Sequence, residues 1–130
     1  MGVKITELLK LKEISYVHAE GMMGGELKHG TLALIEKNTP VISLINGNSD
    51  IISNTMEVKA RGGRIIAITN QDPKSIENLS TESIVVEAED DASFAILSAV
   101  AGQLLTYYLA KEKGLPIDKP RNLAKVCTTK

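Results

Sequence analysis

The sequence predicts an α/β fold on a parallel sheet, and three observations carry that prediction. Pro40 introduces Val41-Ile42-Ser43-Leu44-Ile45, a short run rich in β-branched residues. The run Arg64 to Thr69 has the same character. Between them, Asn46-Gly47-Asn48-Ser49-Asp50 supplies helix-capping residues ahead of an apolar helical pattern through Ile51, Ile52, Thr55, Met56 and Val58 to Ala60, and Gly62-Gly63 stop it. Strand, helix and strand in about thirty residues is a βαβ unit, whose two strands run parallel.

The other elements follow in order. Residues 4–20 carry Ile5, Leu8, Leu9, Leu11, Ile14 and Val17 among Lys and Glu, mostly at helical spacing, which predicts an amphipathic helix ending near Gly21. Gly24-Gly25 break the chain before a short Glu26-Leu27-Lys28-His29 turn that stops at Gly30. A second short helical piece runs through Leu32, Ala33, Leu34 and Ile35. Ile84-Val85-Val86 reads as a third strand, and Asp90 or Asp91 is placed to cap a long helix from Ala92 to Lys113, ended by Gly114 and Pro116. Its apolar stretch, Ala92 to Ala110, approaches the length of a membrane span. Ser93, Ser98, Gln103 and Thr106 interrupt it and no second span accompanies it, so it is expected to be a helix buried on most sides by a sheet. Residues 117–130 read as an irregular tail, and residues 1–130 as one domain.

Composition narrows the setting. A formal net charge of -1 with 24% charged and 43% hydrophobic residues gives no electrostatic reason to expect nucleic acid or an anionic membrane as partner. The single cysteine, Cys127, cannot form an internal disulfide, and no leader pattern opens the chain, so a reducing cytoplasm is expected. Two histidines and one cysteine give no metal-ligand spacing, and neither a metal nor another cofactor is expected.

Several residues carry potential chemistry. Lys10 and Glu13 are three apart on the predicted first helix and share a face, where the ammonium could hold the carboxylate ionised; the same spacing also describes a plain surface ion pair. His29, three residues after Glu26, could be oriented by that carboxylate if the turn is helical, or could be a loop histidine facing solvent. His18 reads as a packed or half-exposed helical side chain. Asn46-Gly47-Asn48-Ser49 could bind phosphate through backbone N–H groups, although any strand-to-helix turn needs such capping residues. In the tail, Lys125 and Arg121 could close over a bound anion, with Arg121 offering a planar fork to phosphate or carboxylate or instead to a structural carboxylate nearby, although tail cations are most often merely solvated.

Three stretches, taken together and in order, resemble a known family. They are Leu9-Lys10-Leu11-Lys12-Glu13-Ile14-Ser15-Tyr16-Val17-His18-Ala19-Glu20, then Gly25-Glu26-Leu27-Lys28-His29-Gly30 with Leu32-Ala33-Leu34-Ile35, and Pro120-Arg121-Asn122-Leu123-Ala124-Lys125. Val58-Lys59-Ala60-Arg61-Gly62-Gly63 is a further matching piece. They are similar to the second sugar-isomerase (SIS) lobe of the amidotransferases that make glucosamine-6-phosphate.

The resemblance implies a flavodoxin-like parallel sheet flanked by helices, incomplete in this chain at three strands or so. It implies Glu13 as general base between the first two sugar carbons, His29 as ring opener, Lys125 as the lysine engaging the ketose carbonyl and Lys10 as a helper, with Arg121 and Asn122 binding substrate. Fructose-6-phosphate and glucosamine-6-phosphate are the implied ligands. The implied assembly is a homodimer, or a second chain supplying the missing lobe. The family's glutaminase domain, first isomerase lobe and Ser-x-Ser-Gly-x-Thr phosphate loop have no counterpart in this sequence.

Three functions stay open at this point. The chain could be a fragment or subunit of the synthesising isomerase, a related amino-sugar-phosphate deglycase or deaminase, or a non-catalytic module for dimerisation or ligand sensing. The Pro120 to Lys125 segment resembles the synthesising enzymes, whereas deglycase-like relatives tend to carry Gly and Ser where Asn122 and Ala124 stand.

Overall fold

The computed structural model describes residues 10–121 of the 130-residue chain. The chain divides into two compact units, Met22–Ala101 and, in the other, Met1–Gly21 with Gly102–Lys130.

The first unit holds a three-stranded parallel sheet: β1 (Pro40–Ile45), β2 (Arg64–Thr69) and β3 (Glu82–Val85), with β2 in the centre. Pro40 pairs with Arg64 and Ile45 with Thr69, while Ile66 pairs with Glu82. Pro40 is the first residue of an edge strand, a place that tolerates its missing N–H. The third strand begins two residues earlier than the sequence predicts and ends at Val85, although the Val86 N–H still donates to the Thr69 carbonyl at 2.8 Å.

Helix α1 (Ser49–Ala60) crosses from β1 to β2. Asn48 caps it, its side-chain oxygen accepting from the N–H of Asp50 at 2.8 Å and of Ile51 at 3.4 Å. Its far end closes in a Schellman motif: the Gly62 N–H donates to the Lys59 carbonyl and the Gly63 N–H to the Val58 carbonyl. Gly62 has φ +86°, which only glycine adopts freely, and a Cβ on Gly63 would stand 2.6 Å from Val58 Cγ1.

Residues of one parity along β1 and β2 meet α1. Leu32, Val58 and Ile65 form one buried cluster with Leu27, Ile35 and Val41 against it, while Ile45, Ala67, Ile76 and Leu79 form another with Ile51 and Ile52. Between the clusters, Ser43 and Thr55 share a hydroxyl–hydroxyl bond of 2.7 Å, so the polar pair in the interface is satisfied. Burying each large aliphatic side chain contributes about 1.5–3 kcal/mol, which makes this face the main stabilising layer of the unit. A short 3-10 turn, Pro73–Ile76, lies on the path from β2 to β3 and escaped the sequence reading; Asp72, accepting from the Lys74 N–H, followed by Pro at its first position is the signal that marks it.

Helix α2 (Asp91–Glu112) begins with a reciprocal cap, the Ser93 N–H donating to the Asp90 carboxylate at 2.7 Å and the Asp90 N–H to the Ser93 hydroxyl at 3.2 Å. It ends as α1 does, Gly114 donating to Lys111 and Leu115 to Ala110. The expectation that sheet would bury it on most sides is not met. Phe94, Ser98, Ala101, Thr106 and Ala110 are buried, but Ile96, Val100, Leu104, Tyr107 and Tyr108, spaced along one stripe, are exposed. The apolar run is broad enough for a helix covered all round, whereas among the described residues one side of it is buried and the opposite stripe is exposed. Its length and a mean hydropathy of 1.4 also fit a membrane span by composition alone.

The first helix ends earlier than predicted: residues 10–15 are helical and residues 16–23 are not. Tyr16 takes a left-handed φ of +54° and turns the chain out of the helix five residues before Gly21. The end is fixed by two bonds, the Ser15 hydroxyl donating to the Leu11 carbonyl at 2.6 Å and Lys113 Nζ donating to the Ser15 carbonyl at 2.6 Å. His18 therefore stands in non-helical chain, not in a helix, with its side chain 82% exposed and 3.4 Å from Glu20.

Candidate functional site

The sequence-selected residues fall in both units. Glu13 lies on the helical turn 10–15, half-buried, between Leu11, which is buried, and Ser15, which is fully so. Lys10 is exposed on the same turn. No ion pair joins Lys10 to Glu13 among the described residues, so the expected salt link is absent. An exposed lysine keeps its side-chain freedom unless the pair outweighs that entropy.

Arg121 belongs to the same unit. Its guanidinium carbon sits 4.3 Å from the centre of the Tyr16 ring, and its backbone N–H donates to the Tyr16 hydroxyl at 2.7 Å. The ring thus holds the cation, while no hydrogen bond from its guanidinium N–H groups occurs among the described residues. Sequence reasoning picked out Arg121 and missed Tyr16, because nothing local marks a contact across 105 residues. Asn122 and Lys125 lie outside the described residues.

His29 closes the 3-10 turn Gly24–His29 in the other unit, exposed, and is followed by Gly30 at φ +135°. The turn is helical as the Glu26 proposal requires, yet neither hydrogen bond nor ion pair links Glu26 to His29 among the described residues. What holds the turn is its neighbour. Lys28 Nζ lies 2.7 Å from the Glu57 carboxylate on α1, and Arg61 Nη1 approaches the other Glu57 oxygen at 3.7 Å. The hydrogen bond from Lys28, with the charges of Lys28 and Arg61, holds the Glu57 carboxyl below its ordinary range. Gly24 presses against α1 as well, since a Cβ there would stand 2.7 Å from Asn54 Nδ2. Gly25, Lys28, Asp50, Ser53 and Asn54 line a shallow polar groove beside the turn.

The loop Asn46 to Ser49 is built as a cap. The Asn48 side chain occupies the first N–H groups of α1, and Asn46 Nδ2 donates to Asp91 at 2.9 Å. Those amides are already bonded, so the capping reading accounts for the loop. Among the described residues no group of three or more His, Cys, Asp or Glu side chains could hold a metal ion.

Comparison with known proteins places this geometry. Residues 8–112 match the SIS domain family. An isomerizing glutamine–fructose-6-phosphate aminotransferase of Lactiplantibacillus plantarum is 47% identical over 130 residues, covering 98% of this chain and 21% of that protein. Its counterpart in Methanocaldococcus jannaschii is 46% identical, covering 92% of this chain and 11% of that protein. The chain thus spans about a fifth or less of these relatives. Among solved structures, the C-terminal domain of glucosamine-fructose-6-phosphate aminotransferase from Francisella tularensis superposes with a TM-score of 0.80 at 38% identity, covering 88% of this chain and 33% of that one. A protein of E. coli CFT073 shares the fold at a TM-score of 0.69 and 19% identity, covering 85% of this chain and 64% of its own.

Proposed function

We propose that this chain, which belongs to the SIS domain family, carries the base of a sugar-phosphate isomerase that forms glucosamine-6-phosphate from fructose-6-phosphate. The observation that carries the proposal is the likeness to isomerizing aminotransferases along nearly the whole chain, at 47% identity over 98% of it. That likeness runs through the segment holding Glu13.

The reaction moves one proton between the first two sugar carbons through an enediol-type intermediate, so it needs a base at the carbon acid and donors at the oxygen where charge develops. In this reading the Glu13 carboxylate takes the proton from one carbon and returns it to the other. The half-burial of Glu13 limits competing water around the carboxylate. His29 shuttles the proton that opens the ring, and its exposure on a well-anchored turn suits a group that reaches substrate bound elsewhere. Lys125 engages the carbonyl oxygen and Lys10 adds positive charge nearby, while Arg121 and Asn122 hold the sugar phosphate. No metal or other cofactor enters the scheme.

The remaining parts of the reaction lie outside this sequence. The other isomerase lobe supplies the phosphate-binding loop, and ammonia derives from a glutaminase unit outside this sequence. The exposed apolar stripe of α2 supports association, since Ile96, Val100, Leu104, Tyr107 and Tyr108 form one contiguous apolar face. A cytoplasmic setting accords with the lone cysteine.

The test is hydrogen exchange in deuterated water. Glucosamine-6-phosphate and fructose-6-phosphate are incubated with the chain, alone and together with the separately produced complementary lobe of a relative, and exchange at the carbons beside the carbonyl is followed by NMR. Exchange is expected, and Glu13→Gln should abolish it while leaving the fold intact. Undiminished exchange in that variant, or none with the lobe present, overturns the proposal.

A further inference from the structure

Asp50, Ser53, Asn54 and Glu57 recur at the spacing that places side chains on one face of a helix, and the turn Gly24–His29 meets that face of α1 through Lys28 and Gly24. Glu57 is taken by Lys28 and Arg61. The Asp50 carboxylate, the Ser53 hydroxyl and the Asn54 carboxamide make no hydrogen bond or ion pair among the described residues, although Asn54 is only 9% exposed. A carboxamide so far removed from water ordinarily has partners, because leaving its bonds unmade costs the desolvation of the group. Its open side is the groove completed by Gly25, Lys28, Asp50 and Ser53, with a volume of about 290 Å³. Nothing stands within 4 Å of where a Gly25 side chain would begin, so the groove stays open on the side of the turn.

The lining selects the ligand. A volume at the lower end of ligand pockets suits one sugar ring and not a nucleotide. Among the described residues no apolar side chain lines the groove, so an apolar ligand gains little there. Lys28 is already neutralised by Glu57 and Asp50 adds a negative charge, which disfavours a simple anion. One carboxylate beside an ammonium is equally poor for a metal ion. An unpaired carboxylate next to a hydroxyl and a carboxamide, which donates as well as accepts, is matched by a cation with neighbouring hydroxyls. We propose that this groove binds an amino sugar, with its ammonium on the Asp50 carboxylate and adjacent hydroxyls on Ser53 and Asn54. None of Glu13, His29 and Arg121 lines the groove, so the proposal does not rest on the isomerase reading. A bound sugar ties the turn that carries His29 to α1 at a second place beside the Lys28–Glu57 pair.

The test is an NMR titration of the isotope-labelled intact chain with glucosamine, in mildly acidic buffer where the sugar is cationic and Asp50 ionised. Saturable shifts of the Gly25, Asp50, Ser53 and Asn54 amides are expected, with a Kd on the order of 1 mM for so open a site. N-acetylglucosamine, which lacks the cation, should bind about tenfold more weakly, and Asp50→Asn should erase that difference. Asp50 and Ser53 are exposed, so Asp50→Asn and Ser53→Ala spare the fold, and Ser53→Ala should weaken both sugars alike. Glucosamine-6-phosphate separates two sources of the same chemistry: tighter binding in the groove assigns the phosphorylated amino sugar, and equal binding the free one. Absence of saturable groove shifts, or a preference for glucosamine that survives Asp50→Asn, overturns the proposal. Shifts that vanish in Glu13→Gln place the sugar on the isomerase residues and overturn it as well. Groove shifts intact in a chain whose exchange survives Glu13→Gln overturn the functional reading alone.

Discussion

Helices α1 and α2 stop by the same hydrogen-bonded motif, yet they are buried very differently. Helix α1 puts Val58, 2% exposed, between Leu32 and Ile65, while α2 carries Ile96 at 65% exposed on a stripe with Val100, Leu104, Tyr107 and Tyr108. Helix α2 is the more apolar of the two, yet it leaves the larger apolar side chains exposed. The difference teaches that apolar content reports how much surface a helix can bury, and only the neighbours decide how much it does.

The largest effect should separate the two faces. Val58→Ala leaves a cavity against Ile65 and should cost about 2–3 kcal/mol in denaturant unfolding. Ile96→Ala should change stability by no more than about 0.5 kcal/mol in the free chain. If Ile96→Ala costs as much as Val58→Ala, the stripe is covered in solution by a second copy and the contrast fails.

A smaller effect should sharpen the shared ending. Ala at Gly62 meets both a φ of +86° and the Lys37 Cα at 3.2 Å, whereas Ala at Gly114 has a φ of +65° and open space. Both should lower the thermal midpoint, Gly114→Ala by the backbone cost of about 1 kcal/mol and Gly62→Ala by more. Equal losses would mean that the loop at Lys37 yields freely.

The smallest effect concerns the anchor that ties the His29 turn to α1. The folded Glu57 carboxyl is held below its ordinary value of 4.5, first by the hydrogen bond from Lys28 and then by the nearby cations. Its contribution to stability is therefore full above that value and fades as pH falls through the lower folded value. Glu57→Gln should remove part of the acid-induced loss of stability seen in urea titrations across that range. An unchanged acid slope would show that the pair is too solvated to matter.

Much of the fold was legible in the sequence because its signals are local. The βαβ unit followed from two β-branched runs flanking a capped helix, and β2 and the ends of α1 fall where Asn48 and Gly62-Gly63 put them. The capping choice between Asp90 and Asp91 resolves to Asp90, whose carboxylate faces the Ser93 N–H. The candidate site was less legible. Glu13 and His29 could be selected by resemblance, but the Lys28–Glu57 anchor joins residues 29 positions apart, and the Tyr16–Arg121 contact joins residues 105 apart.

The sequence by itself determined where β1 and β2 form and, to within a residue, where α1 and α2 begin and end. Caps, Schellman glycines and β-branched runs act over about five residues or fewer, and their energies need no distant partner. Tertiary structure alone decided that the first helix stops at a strained Tyr16, that His18 leaves the helix, and that among the described residues α2 keeps an exposed apolar stripe. The physical reason is that each outcome depends on groups remote in sequence, Lys113 and Arg121 at the helix end and the available neighbours along α2, so that no window of the chain contains both sides of the contact.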